Sequence, residues 1–289
     1  MKKVLGIIGS PRNLGNCEIM IKEISRQIPV SHELDLLRLA DFDILPCRGC
    51  YRCLPEGKQC VLEDDLNTVL QAMCDADALI VAVPTYFLSA NACLKRLLDR
   101  GLSFYNHSQK LWHKPAVGIG IAGIAGREGF TLLGVQSFLK LILAQEKGCR
   151  VIYGALPGEI FMSENNKKEA ADLASALFGP VPEKFEPCCP VCGGDTFRFL
   201  GNHRVRCMLC SISGTMIVEN GRPAFEMNPN EDIIFASAQE ALKHRDWLLG
   251  MKHDFIEKKT ALKKISIDYR REGQWIRPIE ETTEKGKEV

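Results

Sequence analysis

Four cysteines fall within fifteen residues of this sequence, in "PCRGCYRCLPEGKQC" from Pro46 to Cys60, at the spacing C-x2-C-x2-C-x6-C. Thiolates packed this closely can hold a metal group, do redox chemistry as free thiols or a disulfide, or simply fill space. A second group, "CPVCGGDTFRFLGNHRVRCMLC", sets two C-x2-C knuckles fourteen residues apart, with glycines just past the first pair. That spacing suits four-thiolate coordination of one zinc ion, which can hold together a module too small to have its own core; iron fits the same geometry. The expected ligands there are Cys189, Cys192, Cys207 and Cys210, because Cys189 rather than Cys188 keeps the two-residue spacing to Cys192. His203 and Arg204 read as exposed residues of the hairpin between the knuckles. Of the 13 cysteines, Cys17, Cys74, Cys93 and Cys149 stand alone in apolar surroundings and read as core thiols.

The frame that must position these groups is legible as alternating strands and helices. "KVLGIIG" is a buried strand, followed by an amphipathic helix from Asn16 to Ile28 and a strand "ELDLLRL". A helix from Asp65 to Cys74, a strand from Ala78 to Pro84 and a helix from Asn91 to Gly101 come next. "PAVGIGIAG", a helix from Phe130 to Gln145, "CRVIYGAL" and a helix from Lys167 to Leu177 complete five repeats. Parallel strands need helix-length crossovers, so the pattern predicts a doubly wound parallel sheet of α/β class, with ligands beyond the carboxyl ends of the strands. "FGPVPEKFEP", from Phe178 to Pro187, is a candidate linker. The expected division is a main domain over 1–180, a ribbon over 187–218 and a helical segment with a polar tail over 230–289. Asp64 and Asp65 are expected to cap the helix that follows them.

Composition narrows the function. Lysine plus arginine number 37 against 36 aspartates and glutamates, which leaves no electrostatic footprint for nucleic acid. No apolar run of about 18 residues is present, so no membrane insertion is expected. The N-terminus reads as a strand rather than an export signal. The cysteines would then stay in a reducing, cytoplasmic setting, where closely spaced pairs are metal ligands more often than disulfides.

After the first strand, "GSPRNLGN" runs straight into a helix, placing backbone N–H groups and the side chains of Ser10, Arg12 and Asn16 where an anion would sit. It is neither a P-loop nor a G-x-G-x-x-G motif. It resembles the FMN phosphate loop of the NADPH-dependent FMN reductase branch of flavodoxin-like proteins. "PTYFLSANACLKRLLDR" and "AGIAGREGF" resemble that branch's second and third flavin segments. The resemblance covers roughly residues 1–178 and implies a flavodoxin-like fold. It also implies FMN contacts at Ser10, Arg12, Asn13, Gly15 and Asn16, at Pro84, Thr85, Tyr86 and Phe87, and at Gly123, Gly126 and Arg127. Cys17 departs from the pattern, since relatives commonly carry a hydroxyl there.

With this loop in place, the compact cysteine motif between the second strand and second helix looks like that of the iron–sulfur flavoproteins of anaerobic microbes. The resemblance implies a [4Fe–4S] cluster on Cys47, Cys50, Cys53 and Cys60 that passes electrons to FMN, commonly across an oligomer interface. The expected protein is an FMN and iron–sulfur electron-transfer oxidoreductase with an appended zinc ribbon. It would be a dimer or tetramer, working with a ferredoxin-like partner or NAD(P)H. Two readings stay open: an NAD(P)H-dependent FMN or quinone reductase without a cluster, and a non-catalytic redox subunit docking through its ribbon.

Overall fold

The computed structural model describes residues 1–180, 186–228 and 231–276, apart from the side chain of Lys252. Residues 181–185 of the expected linker, and the polar tail from residue 277, lie outside them. The chain divides into two compact units, Met1–Leu249 and Gly250–Val289.

The first unit is built on a parallel sheet of β1 (Lys2–Ile8), β2 (His32–Arg38), β3 (Ala78–Tyr86), β5 (Pro115–Ala122) and β6 (Gln145–Tyr153) in the order β2-β1-β3-β5-β6, with the two-residue β4 (Ser89–Ala90) folded back on β3. This is the flavodoxin-like strand order, with its switch point between β1 and β3. Helices α1 (Asn16–Gln27) and α6 (Glu164–Leu177) cover one face, and α2 (Leu66–Asp75), α3 (Ala92–Asp99) and α5 (Thr131–Leu141) the other. Alternation within β1 decides which side chain goes where. Val4 and Ile8 pack with Met20, Ile21 and Ile24, while Leu5 and Ile7 pack with Val69, Leu70 and Phe138. Burial on both faces is why these strands appear in the sequence as unbroken apolar runs. Gly6 lets α1 approach the sheet, since a Cβ there would stand 2.4 Å from Cγ2 of Ile21.

The expected helix through Gln145 stops at Leu141, and β6 starts at Gln145, earlier than its apolar run suggests. Leu143 turns left-handed at φ 47°, and the amides of Leu143 and Ala144 bond back to Lys140 and Leu139 at 3.0 and 2.9 Å. This is a Schellman stop made without glycine, so no residue type announced it. A stretch from Gly101 to His107 coils as a 3-10 helix and runs into α4 (Ser108–Leu111). Sequence periodicity had shown no element there.

Beyond the linker, β7 (Phe197–Gly201), β8 (Arg204–Cys207), β9 (Ser213–Glu219) and β10 (Arg222–Met227) form an antiparallel sheet in the order β10-β9-β8-β7. The sheet thus runs past residue 218, because β9 and β10 close a hairpin at Asn220 and Gly221, both with positive φ. Phe197 stacks on Phe225 with ring centroids 3.8 Å apart. The long helix α7 spans Ala238–Ile267. In the first unit its Ala241 and Leu248 pack with Leu54 of the cysteine loop and with Tyr105. No helix among the described residues is long and apolar enough to cross a membrane.

Candidate functional site

A cleft opens at the carboxyl ends of β1, β3, β5 and β6. Ser10, Arg12, Gly15 and Asn16 line it from the first loop, Pro84, Thr85 and Tyr86 from β3, and Gly123 from the loop after β5. Asn13, Phe87, Gly126 and Arg127 do not line it. Phe87 instead stands fully exposed at the tip of the β3–β4 hairpin, where it and Leu88 take φ of 49° and 65°. Two bulky residues in this region are strained, a feature that clusters at functional sites.

Local chemistry explains how the first loop holds its shape. The Ser10 hydroxyl accepts the Arg12 amide at 3.2 Å, and Glu18 reaches back from the first turn of α1 to accept the Leu14 amide at 2.9 Å. Burial alone would raise the pKa of Glu18. Lys22, the Leu14 amide and Arg38 outweigh it and keep the carboxyl below its usual range. No side chain caps α1, so its first amides are left to an anion at the positive end of the helix dipole. The Asn16 carboxamide is engaged elsewhere: it donates to the Gly154 carbonyl at 3.0 Å and accepts the Gly158 amide at 2.8 Å. Asn16 therefore offers the cleft its backbone. Cys17 also lines the cleft, with its thiol pushed up to about 12 by burial.

The loop after β6 completes the cleft through Gly154, Ala155 and Pro157, which sequence reasoning had not selected. The signal was topological, since this loop ends a sheet strand on the same side as the other three. Gly129 ties two rims together: the neighbouring Phe130 amide donates to Leu88 at 2.8 Å, and a Cβ on Gly129 would meet that carbonyl at 2.2 Å. Asn91, 3% exposed, donates to the Gly9 carbonyl at 2.5 Å and so joins the first loop to β3. Asn91→Ala is expected to cost about 1–3 kcal/mol, because that carbonyl loses its buried donor. A lowered thermal midpoint, with the far-ultraviolet spectrum unchanged, would check this.

The two cysteine groups differ in scale. In the ribbon, Cys189, Cys192, Cys207 and Cys210 bring their sulfurs together, with Cys189 3.9 Å from Cys210 and Cys192 3.5 Å from Cys207. Tetrahedral thiolates about 2.3 Å from one zinc would be about 3.8 Å apart, so the group fits a single ion. Cys188 is outside it. Hydrogen bonds from Cys192 and Cys210 push the Cys207 thiol well down, and donation to Cys207 pushes Cys192 up. Asn202 and His203 turn the hairpin between the knuckles with positive φ, exposed.

Cys47, Cys50, Cys53 and Cys60 line one small cavity with Arg100 and Ser103. They do not draw together to single-ion distances, whereas the ribbon group does. Gly49 and Gly57 both adopt positive φ, as a loop folding tightly around a group requires. The acidic pair does more than cap. Asp64 accepts the amides of Leu45 at 2.9 Å and Leu66 at 3.2 Å and pairs with Arg100, while Asp65 makes no side-chain cap and instead accepts the Asp43 amide at 2.7 Å. Burial would raise the pKa of Asp64. Arg100 and the two amides outweigh it and hold the carboxyl below its usual range.

Residues 2–142 match the model of the NADPH-dependent FMN reductase family. An iron–sulfur flavoprotein of Archaeoglobus fulgidus is 29% identical over 63% of this chain and 82% of its own length. Another, of Methanocaldococcus jannaschii, is 41% identical over 34% of this chain and 51% of its own. Residues 2–142 form a domain of the NADPH-dependent FMN reductase family, and the chain is similar to iron–sulfur flavoproteins. It is thus a flavin-dependent oxidoreductase, and FMN is the flavin its family implies. Family membership is carried by the N-terminal half: the chain spans only about half the length of several of these relatives. A solved flavone reductase shares the fold at a TM-score of 0.71 over 96% of this chain and all of that one, with 16% identity.

Proposed function

We propose that this flavoprotein is an electron-transfer enzyme that holds FMN in the cleft, a [4Fe–4S] cluster in the loop from Cys47 to Cys60, and a structural zinc ion in the ribbon. The observation that carries the reading is the difference in scale between the two cysteine groups. One is drawn to the size of a single ion. The sulfurs of the other are spread farther apart around one small cavity, as thiolates that each bind a separate iron must be. The relatives' name, iron–sulfur flavoprotein, points the same way.

FMN accepts electrons in pairs and releases them singly when bound, which suits exchange between a two-electron carrier and a one-electron carrier. The chain's own part is to bind and orient. The uncapped amides of α1, with Ser10 and Arg12, suit the phosphate, and Tyr86 at the rim suits an isoalloxazine face, where stacking adds to area burial. The exposed Phe87, Leu88, Ile124, Phe130 and Leu156 lie on loops whose other residues line the cleft. A large apolar rim of this kind suits a second copy of the chain closing over the flavin. Redox partners would be a ferredoxin-like protein or NAD(P)H, and two closely spaced cysteine groups suit a reducing cytoplasm.

The test is the content of iron, zinc and FMN per chain in protein purified without oxygen. About four irons, with one zinc and one FMN, are expected. FMN and zinc without iron after reconstitution, with rapid bleaching by NADPH, would overturn the cluster and leave a flavin reductase.

A further inference from the structure

The cysteine loop is held by a stretch of chain that carries no motif. The stem is closed by the Asp65 amide donating to the Asp43 carbonyl at 2.9 Å and by Asp64 bridging Leu45 and Leu66. Arg100 then enters from below. Its guanidinium donates to the Leu45 carbonyl at 2.7 Å and pairs with Asp64, and Arg100 lines the same small cavity as Cys60. Both members of the pair are only 1% exposed. Three residues on, Ser103, itself 6% exposed, lines the same small cavity as Cys53. Another turn brings Asn106, whose side-chain amide donates to the carbonyls of Cys53 at 2.5 Å, Lys58 at 2.8 Å and Pro55 at 3.2 Å.

The 3-10 coil from Gly101 explains how one segment can do this. Residues three apart eclipse one another in such a helix, so 100, 103 and 106 fall on one face. That face meets the third and fourth cysteines and the excursion between them. A buried ion pair is weak evidence of stabilisation, since apolar residues of similar volume would often serve as well. Polar groups that line the cysteine cavity and bond three loop carbonyls give the arrangement a different meaning. Donors behind metal ligands orient them, and hydrogen bonds to cluster sulfurs set reduction potential.

We propose that Arg100, Ser103 and Asn106 are the positioning residues of the cysteine loop, holding the sulfurs of Cys53 and Cys60 and the backbone between them in the arrangement that a cluster requires. The proposal rests on the cluster reading above. Asn106 sets the shape of the loop; Ser103 and Arg100 place a hydroxyl dipole and a positive charge beside thiolates whose electron density rises on reduction.

The test uses full-length protein loaded with iron under anaerobic conditions, followed by iron release to a chelator, the reduction potential from a visible-absorbance titration, and FMN content. Asn106→Ala is expected to speed iron release about tenfold or more with FMN retained. Ser103→Ala is expected to keep its iron and shift the potential in the negative direction, because the reduced cluster loses a donor. Ser103→Thr, which keeps the hydroxyl, restores it. Arg100 stays in place in these variants, since removing it would strand Asp64. Unchanged release in Asn106→Ala, together with an unchanged potential in Ser103→Ala, would overturn the proposal while the wild type still held iron. Wild-type protein that takes up no iron would overturn the cluster reading and, with it, this proposal.

Discussion

Replacing Cys50 by serine is expected to abolish stable iron binding and leave FMN in place. Cys50 is exposed on the loop and lines the cysteine cavity, which shares no lining residue with the cleft proposed to hold FMN. A serine oxygen in its place would be a poor ligand for the iron of the proposed cluster, which the other three positions would hold through soft thiolates. Fold stability should hardly move, because the side chain is not in a core cluster and the loop stem is tied by Asp64 and Asp65 rather than by Cys50. Iron per chain should fall to a small fraction of the wild-type value, with the flavin absorbance band intact. Loss of FMN together with iron would mean that the loop supports the cleft, and retention of both would mean that the iron lies elsewhere.

Removing the zinc ion proposed for the ribbon is expected to unfold the ribbon alone. The core of this module consists largely of its own ligands: Cys189, Cys207 and Cys210 are buried with Ile212, and Cys192, Phe197 and Leu209 pack around them. Without an ion the four sulfurs are left as thiols in close contact, with few apolar side chains to hold the sheet. Structural zinc in such modules supplies about 10–16 kcal/mol of apparent binding free energy at neutral pH, and that energy is folding energy. Cys207→Ser, or prolonged chelation, should therefore collapse amide protection across β7 to β10 while β1, β3 and β5 stay protected. Hydrogen exchange read by mass spectrometry resolves the two regions. Protection that survives in β8 after zinc is gone would show that the Phe197–Phe225 stack and the Ser213–Glu231 hydrogen bonds suffice without metal.

Much of the cleft's lining was legible before folding because its parts lie next to sequence signals. Ser10, Gly15 and Thr85 each follow an apolar run that can only be a buried strand, and loops after parallel strands share one edge of the sheet. Phe87 shows the limit of that logic. It lies beside the same strand, but a two-residue turn with positive φ swings it out of the cleft, and nothing in Phe–Leu predicts such a turn. Asn16 is a donor type in the right loop whose carboxamide is taken by Gly154 and Gly158, residues more than a hundred positions away.

The sequence by itself determined the alternation of strands and helices in the first 180 residues, three of the loops that edge the cleft and the four-cysteine grouping of the ribbon. Each of these depends on local spacing: apolar period for the elements, two-residue knuckles for the ribbon. Only the tertiary structure decided that Gly154, Ala155 and Pro157 close the cleft, that Asp64 spans the stem of the cysteine loop, and that Arg100, Ser103 and Asn106 lie beneath it. Those contacts join segments tens of residues apart, and hydrogen bonds from an arginine and an asparagine to distant carbonyls leave no period in a chain to be read.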